Sequence, residues 1–103
     1  MLSKCQKRFT AYSDLQWKFS YTLEKDDDYK EIKVNVPIDI EYGNYTTDFV
    51  CVKKDDSLIV FECVLEKYLL RPSTIKLLDA SRNYWLRKGV KEFGLVLGVQ
   101  DEN

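Results

Sequence analysis

The chain has 103 residues, a net charge of −1, 45% hydrophobic and 32% charged residues, and only four glycines and two prolines. This is the composition of one ordinary globular domain, 1–103, which excludes a disordered, fibrous or tandem-repeat protein. Histidine is absent from the sequence, and this excludes Ser-His-Asp triads, Cys-His pairs and His-ligated zinc.

The three cysteines, Cys5, Cys51 and Cys63, are widely spaced. An odd number without a C-x-x-C motif builds neither a disulfide framework nor a four-thiolate metal site, and it indicates a reducing compartment. Cys51 and Cys63 alternate with strand residues and are predicted to be small core residues. The sequence shows neither a transmembrane-length apolar run nor a secretory signal, so it predicts a cytoplasmic protein that contacts no membrane.

The first predicted element is a helix from about Asp14 to Leu23. Its start matches a capping box, in which the side chains of Ser13 and Gln16 bond backbone amides of the first turn. The acidic run Asp26-Asp27-Asp28 is predicted to end it.

Three strands are predicted next. Clean alternation of apolar and polar residues from Glu31 to Tyr42 predicts a half-buried strand, which lies near a sheet edge because Pro37 cannot donate to a ladder. After a Gly43-Asn44 turn, a second strand runs from Tyr45 to Lys53. The nearly all-apolar run from Leu58 to Leu65 predicts a central strand covered on both faces.

A second helix opens at Pro72, runs to about Lys88 and closes at Gly89. Its buried stripe is predicted to contain Ile75, Leu78, Ser81 and Trp85. A last strand is predicted from Phe93 to Val99, which gives the element order α-β-β-β-α-β.

Basic residues concentrate in and after this second helix: Arg71, Lys76, Arg82, Arg87, Lys88 and Lys91, with Asp79 the one acid among them. They are typical either of a solvated helix surface or of a face that binds nucleic-acid phosphates. Arg82 and Lys88 are the residues predicted to contact DNA.

Asp48 and Glu62 are the candidate site residues. If the second and third strands are hairpin neighbours, both carboxylates point to the same side of the sheet. Two converging carboxylates favour Mg²⁺ or Mn²⁺, which could activate a water for phosphodiester attack. Glu62 interrupts an apolar run and needs a partner, because burying a carboxylate is costly. The alternative is a strand-end carboxylate that reaches solvent or pairs with Lys76 or Arg82.

Several segments resemble one family. They are Pro37 to Tyr42, Tyr45-Thr46-Thr47-Asp48-Phe49, Val60-Phe61-Glu62-Cys63-Val64, Leu70 to Leu77, and Arg82-Asn83-Tyr84-Trp85 through Gly89. Together they resemble the N-terminal nuclease domain of TnsA-type transposon endonucleases. The resemblance implies a restriction-endonuclease-like PD-(D/E)XK fold, a mixed sheet flanked by two helices, with Mg²⁺-dependent DNA cutting beside a transposase subunit as protein partner.

Carried over by position, the family's metal ligands fall on Asp48 and Glu62. Two other positions depart from the family. Its helix-one Glu falls on the neutral Gln16, and its catalytic Lys falls on Val64, so Lys76 is the predicted substitute. The family's C-terminal partner-binding domain is not expected in a chain that ends at Asn103.

Three hypotheses follow. We favour a catalytically impaired, TnsA-like protein of a mobile element or phage that binds DNA or another protein and needs no cofactor. The second is an active metal-dependent endonuclease with Asp48, Glu62 and Lys76 as its site. The third is a purely structural domain. A homodimer is a further expectation, because nucleases of this fold often cut two strands as pairs and the edge strand from Glu31 could pair with another copy.

Overall fold

A computed structural model describes residues 14–41 and 43–99. The elements run in the order helix α1 (Asp14–Lys25), strands β1 (Tyr29–Ile40), β2 (Gly43–Lys53) and β3 (Leu58–Leu65), helix α2 (Pro72–Arg87) and strand β4 (Glu92–Gly98), with a short 3-10 turn at Glu66–Tyr68 before α2. The predicted order of helices and strands is therefore confirmed. The predicted ends differ by about two residues at α1, β1 and β2. Ser13, Cys5 and Tyr42 lie outside the described residues.

The four strands form one mixed sheet in the order β1-β2-β3-β4. β1 pairs antiparallel with β2, β2 antiparallel with β3, and β3 parallel with β4 through the α2 crossover. The edge position predicted for the strand with Pro37 and the interior position predicted for Leu58–Leu65 are both confirmed.

The helices cover opposite faces of this sheet. Leu23 of α1 packs with Ile32, Phe49 and Cys51, while Trp85 of α2 packs against the cluster of Val50, Val60 and Val90. Phe49 and Val50 are consecutive and face opposite ways, as strand geometry requires. The molecule is thus an α/β fold, a mixed sheet flanked by two helices. Among the described ranges, no helix is long and apolar enough to span a membrane.

The burial pattern of the helices differs from the predicted stripes. Gln16 and Ser20 of α1 are fully buried beside Leu23. On α2, Ser81 is buried, but Ile75 is 45% exposed, so its predicted place in the buried stripe is wrong. Polar side chains on both helices therefore face the sheet, and the groups they meet there define the site.

At Asn35, the side chains of β1 change the face of the sheet to which they point. It has a φ of 52°, in the left-handed region that asparagine enters more readily than most residues. Val34 before it packs in the α1 cluster and Val36 after it in the α2 cluster. Regular alternation would have placed those two valines on one face, so the strand switches faces at Asn35.

Candidate functional site: a bridged carboxylate pair

The site lies where the ladder between β2 and β3 stops. The paired residues end at Phe49 and Phe61, and the next residues along the two strands are Asp48 and Glu62. Beyond that point the two carboxylates bridge the strands in place of backbone carbonyls. The amide N–H of Asp48 donates to Glu62 Oε1 at 3.2 Å, and the amide N–H of Cys63 donates to Asp48 Oδ2 at 2.8 Å. The predicted convergence of Asp48 and Glu62 is therefore present.

Helix α2 supplies the second oxygen of Glu62 with a donor. The Ser81 hydroxyl donates to Glu62 Oε2 at 2.6 Å, and the Thr47 hydroxyl lies 3.5 Å from the Ser81 hydroxyl. The indole N–H of Trp85 donates to Thr47 Oγ1 at 2.9 Å. Glu62 is only 1% exposed, so the alternative in which it reaches solvent or pairs with Lys76 or Arg82 is wrong.

Helix α1 contributes Gln16, which is fully buried. Its side-chain NH₂ group donates to Asp48 Oδ1 at 3.0 Å and to Asn35 Oδ1 at 2.6 Å. The amide therefore presents its nitrogen, and not its oxygen, to Asp48. The predicted capping role does not account for this burial, since the side chain points into the sheet.

Burial dominates the electrostatics of the pair. It raises the pKa of Glu62 to about 7, with the neighbouring charge of Asp48 acting in the same direction. Burial also raises the pKa of Asp48, although the Cys63 amide opposes this rise. The hydroxyl of Tyr45 has its pKa raised by burial and by the nearby Glu62 and Asp48. Near neutral pH the two carboxyl groups are therefore not both fully ionised, and the pair retains part of a proton.

Cys63 is chemically quiet despite its position beside the pair. Its thiol is half-buried, and burial together with the charge of Asp48 raises its pKa to about 12. A thiol of this kind stays protonated and is a poor nucleophile. Cys51 is buried in the α1 cluster. The prediction that these two residues are core side chains is confirmed for Cys51, whereas Cys63 is only partly enclosed.

The arrangement does not fit a divalent cation. All four carboxylate oxygens of Asp48 and Glu62 accept hydrogen bonds from the protein. Throughout 14–41 and 43–99, no buried side-chain nitrogen or oxygen lacks a partner, and no three His, Cys, Asp or Glu residues cluster as a metal site would need. The third group at the pair is an N–H donor, which repels a cation.

The predicted lysine and the DNA contacts lie apart from the pair. Lys76 is exposed, and five residues along the helix place it about 140° around the axis from Ser81, which contacts Glu62. Arg82 and Lys88 are also exposed, and Lys88 Nζ lies 5.5 Å from the centre of the Tyr84 ring. The site thus unites Asp48 and Glu62 and leaves the three basic residues on the surface.

Sequence reasoning missed four contributors, Asn35, Thr47, Ser81 and Trp85, as partners of the carboxylates. The sequence pattern places Ser81 on the helix stripe that faces the sheet, and a serine among apolar stripe residues is the signal that could identify it. Comparison of the sequence with protein-family models and with curated proteins finds no match.

Proposed function

We propose that the chain is a TnsA-like, nuclease-fold protein of a mobile element or phage whose metal site has been replaced by a hydrogen-bonded network, and that it works in the cytoplasm as a DNA-binding module. The observation that supports this proposal is the Gln16 amide nitrogen, 3.0 Å from Asp48 Oδ1. At this position a cation-binding site needs an acceptor, and the chain supplies a donor.

DNA binding is supported by the charge of α2 and the loop after it. All six basic residues between Arg71 and Lys91 are exposed. Each of the three ion pairs in the described part of the chain involves other residues. Exposed lysines and arginines outside these ion pairs, on one segment, are available to phosphate oxygens. A transposase or another component of nucleic-acid machinery is the proposed protein partner.

A retardation assay at low salt tests the DNA-binding part. Double charge reversal, Arg82→Glu with Lys88→Glu, is expected to weaken binding of a duplex at least tenfold. Lys30→Glu with Lys33→Glu on β1 is the matched control and should leave binding nearly unchanged. Equal loss in both double variants would mean that only net charge matters, and no loss in either would remove α2 as the interface.

The second candidate function is the active endonuclease, which the convergence of Asp48 and Glu62 favours. Incubation with supercoiled plasmid and Mn²⁺ separates the two. We expect no nicking above that of the Asp48→Ala variant, and no change in the melting temperature on adding Mn²⁺. Nicking that disappears in Asp48→Ala would establish the enzyme and overturn the proposal of an impaired site.

A further inference from the structure

The two edges of the sheet differ in how well they are protected against pairing. β1 carries Pro37, the left-handed Asn35 and a register shift between Tyr29 and Glu31. Its charged side chains are Lys30, Glu31, Lys33 and Asp39. Proline, irregular backbone and charge are the features by which an edge strand avoids adding another strand. Pairing of β1 with β1 of another copy is therefore unfavourable.

β4 at the other edge has none of these features. It is a regular seven-residue strand, and among residues 14–41 and 43–99 it pairs with β3 alone. Its one charged residue, Glu92, is engaged by Lys53 on β2. From Phe93 to Gly98 the strand is apolar, without proline or left-handed backbone. Its outer edge, which no described residue covers with a strand, presents N–H and C=O groups that another strand can pair with.

An apolar stripe accompanies this edge. Leu95 and Leu97 are 45% and 49% exposed, and Val99 just beyond the strand is 82% exposed. They alternate with Gly94 and Gly98, which face α1: a Cβ on Gly94 would come within 3.0 Å of Phe61. The stripe faces the α2 side, where α2 packs mainly over β1 and β2 and leaves these residues uncovered.

We propose that β4 pairs antiparallel with β4 of a second copy of this chain, which joins two four-stranded sheets into one. Charge favours this occupant and this direction. In an antiparallel pair, the exposed Lys91 before one β4 lies at the opposite end of the paired strands from Lys91 of the other copy. A parallel pair would bring Lys91 against Lys91. The strand itself is neutral beyond Glu92, so two copies meet there without repulsion.

The self-pairing also accounts for the exposed leucines. Cross-strand neighbours on one face of an antiparallel pair lie about 5 Å apart, so Leu95 and Leu97 of one copy pack against the same residues of the other. An isologous contact of this kind closes after two copies and leaves β1, the protected edge, at both ends of the joined sheet. This inference does not depend on the nuclease resemblance or on DNA binding.

Analytical ultracentrifugation of the full chain tests the proposal. The wild-type protein is expected to sediment as a species of twice the 12.2 kDa chain mass. Leu97→Glu and Leu97→Lys, studied separately, should each weaken self-association at least tenfold, because like charges then face each other. Mixing the two variants should restore the pair as a heterodimer. Leu86→Glu and Leu86→Lys on α2, where Leu86 is 45% exposed, are the matched controls.

Three outcomes overturn the proposal: a wild-type chain that stays monomeric at its highest soluble concentration, a dimer that both Leu97 variants leave intact, or a monomer that adds an unrelated strand-forming peptide at β4. If a Leu97 variant loses its circular-dichroism spectrum, Val99→Glu and Val99→Lys carry the same test, since Val99 is the more exposed side chain.

Discussion

The side-chain NH₂ of Gln16 donates where a glutamate at the same position would only accept. It satisfies Asn35 and Asp48 together, and it holds α1 against the carboxylate pair. With glutamine at position 16 the site is a closed hydrogen-bonded network, and with glutamate it would be a set of three carboxylates. Residue-level changes here are therefore expected to move stability and metal affinity in opposite directions.

Gln16→Glu should destabilise the metal-free protein by about 3 kcal/mol, because it adds a buried carboxylate beside two others. Mn²⁺ should then restore stability, by about 2.7 kcal/mol at a hundredfold excess over the dissociation constant. Thermal melts with Mn²⁺ or with a chelator measure both effects. Thr22→Glu, an exposed position on the same helix, is the control. Unchanged stability and no response to Mn²⁺ in Gln16→Glu would contradict the assigned role.

Glu62 makes stability depend on pH. Its pKa is about 7 in the folded protein against an ordinary value of 4.5, so the folded state keeps a proton that the unfolded state has lost. This contribution is fully present below pH 4.5 and is lost as the pH rises to about 7, a loss on the order of 3 kcal/mol. The raised pKa of Asp48 acts in the same direction.

Urea denaturation at several pH values between 5 and 8, with chelator present, measures this slope. Glu62→Gln carries no titrating proton at this position and should flatten the curve, while Glu66→Gln, an exposed glutamate, should retain the wild-type slope. A wild-type protein whose stability rises between pH 5 and pH 7 would show that the buried carboxyl is ionised throughout.

At the scale of elements, α2 is fixed to the sheet by polar contacts as well as by packing. Ser81 reaches Glu62 on β3, and Trp85 reaches Thr47 on β2. An α-helix places residues four apart on the same face, so two donors on one stripe meet two different strands. The helix crosses the point where those strands stop pairing with each other.

Trp85→Phe removes the indole donor and keeps most of the ring. It should cost about 1 kcal/mol, because the buried Thr47 hydroxyl oxygen loses the hydrogen bond that it accepts from the indole. Tyr84→Phe removes a hydroxyl from the adjacent aromatic ring, which stacks edge-on against Trp85, and should cost much less. Chemical denaturation followed by circular dichroism compares them, and equal losses would assign the effect of Trp85 to packing alone.

The order of the elements could be predicted from the sequence because the apolar periodicity of each helix or strand lies within its own short segment. The alternation through Val34, Val36 and Ile38 predicted β1 correctly, but it continued through Asn35 without a sign of the switch in face. That switch occurs at a left-handed backbone position, Asn35, whose side chain accepts a hydrogen bond from Gln16, 19 positions away. Likewise, strand pairing could predict that Asp48 and Glu62 lie close together, whereas Gln16 of α1 and Ser81 of α2 could be assigned to them only after both helices were docked.

At the scale of the whole molecule, charge is unevenly distributed although the net charge is −1. The basic residues of α2 and its following loop are exposed, while the acidic run Asp26-Asp27-Asp28 lies in the connection between α1 and β1. If phosphates bind at the basic segment, affinity falls linearly with the logarithm of salt concentration, with a slope of about −0.9 for each contact.

Neutralising Arg82 and Lys88 to glutamine should therefore reduce the magnitude of that slope by about 2, one contact for each residue. Fluorescence anisotropy of a labelled duplex between low and physiological salt gives the slope directly. Lys30→Gln with Lys33→Gln should leave it unchanged. An unaltered slope in the Arg82 and Lys88 variant would place the phosphate contacts elsewhere on the protein.

The amide N–H of Cys63 donates its hydrogen bond to the Asp48 side chain on the neighbouring strand. This amide can therefore report on the state of the carboxylate pair. Its rate of exchange with heavy water follows the integrity of the Asp48 carboxylate bridge and not that of a backbone ladder. A spectroscopist who watches this single amide can tell, without any ligand or activity, whether the pair is closed or has opened while the surrounding sheet stays intact.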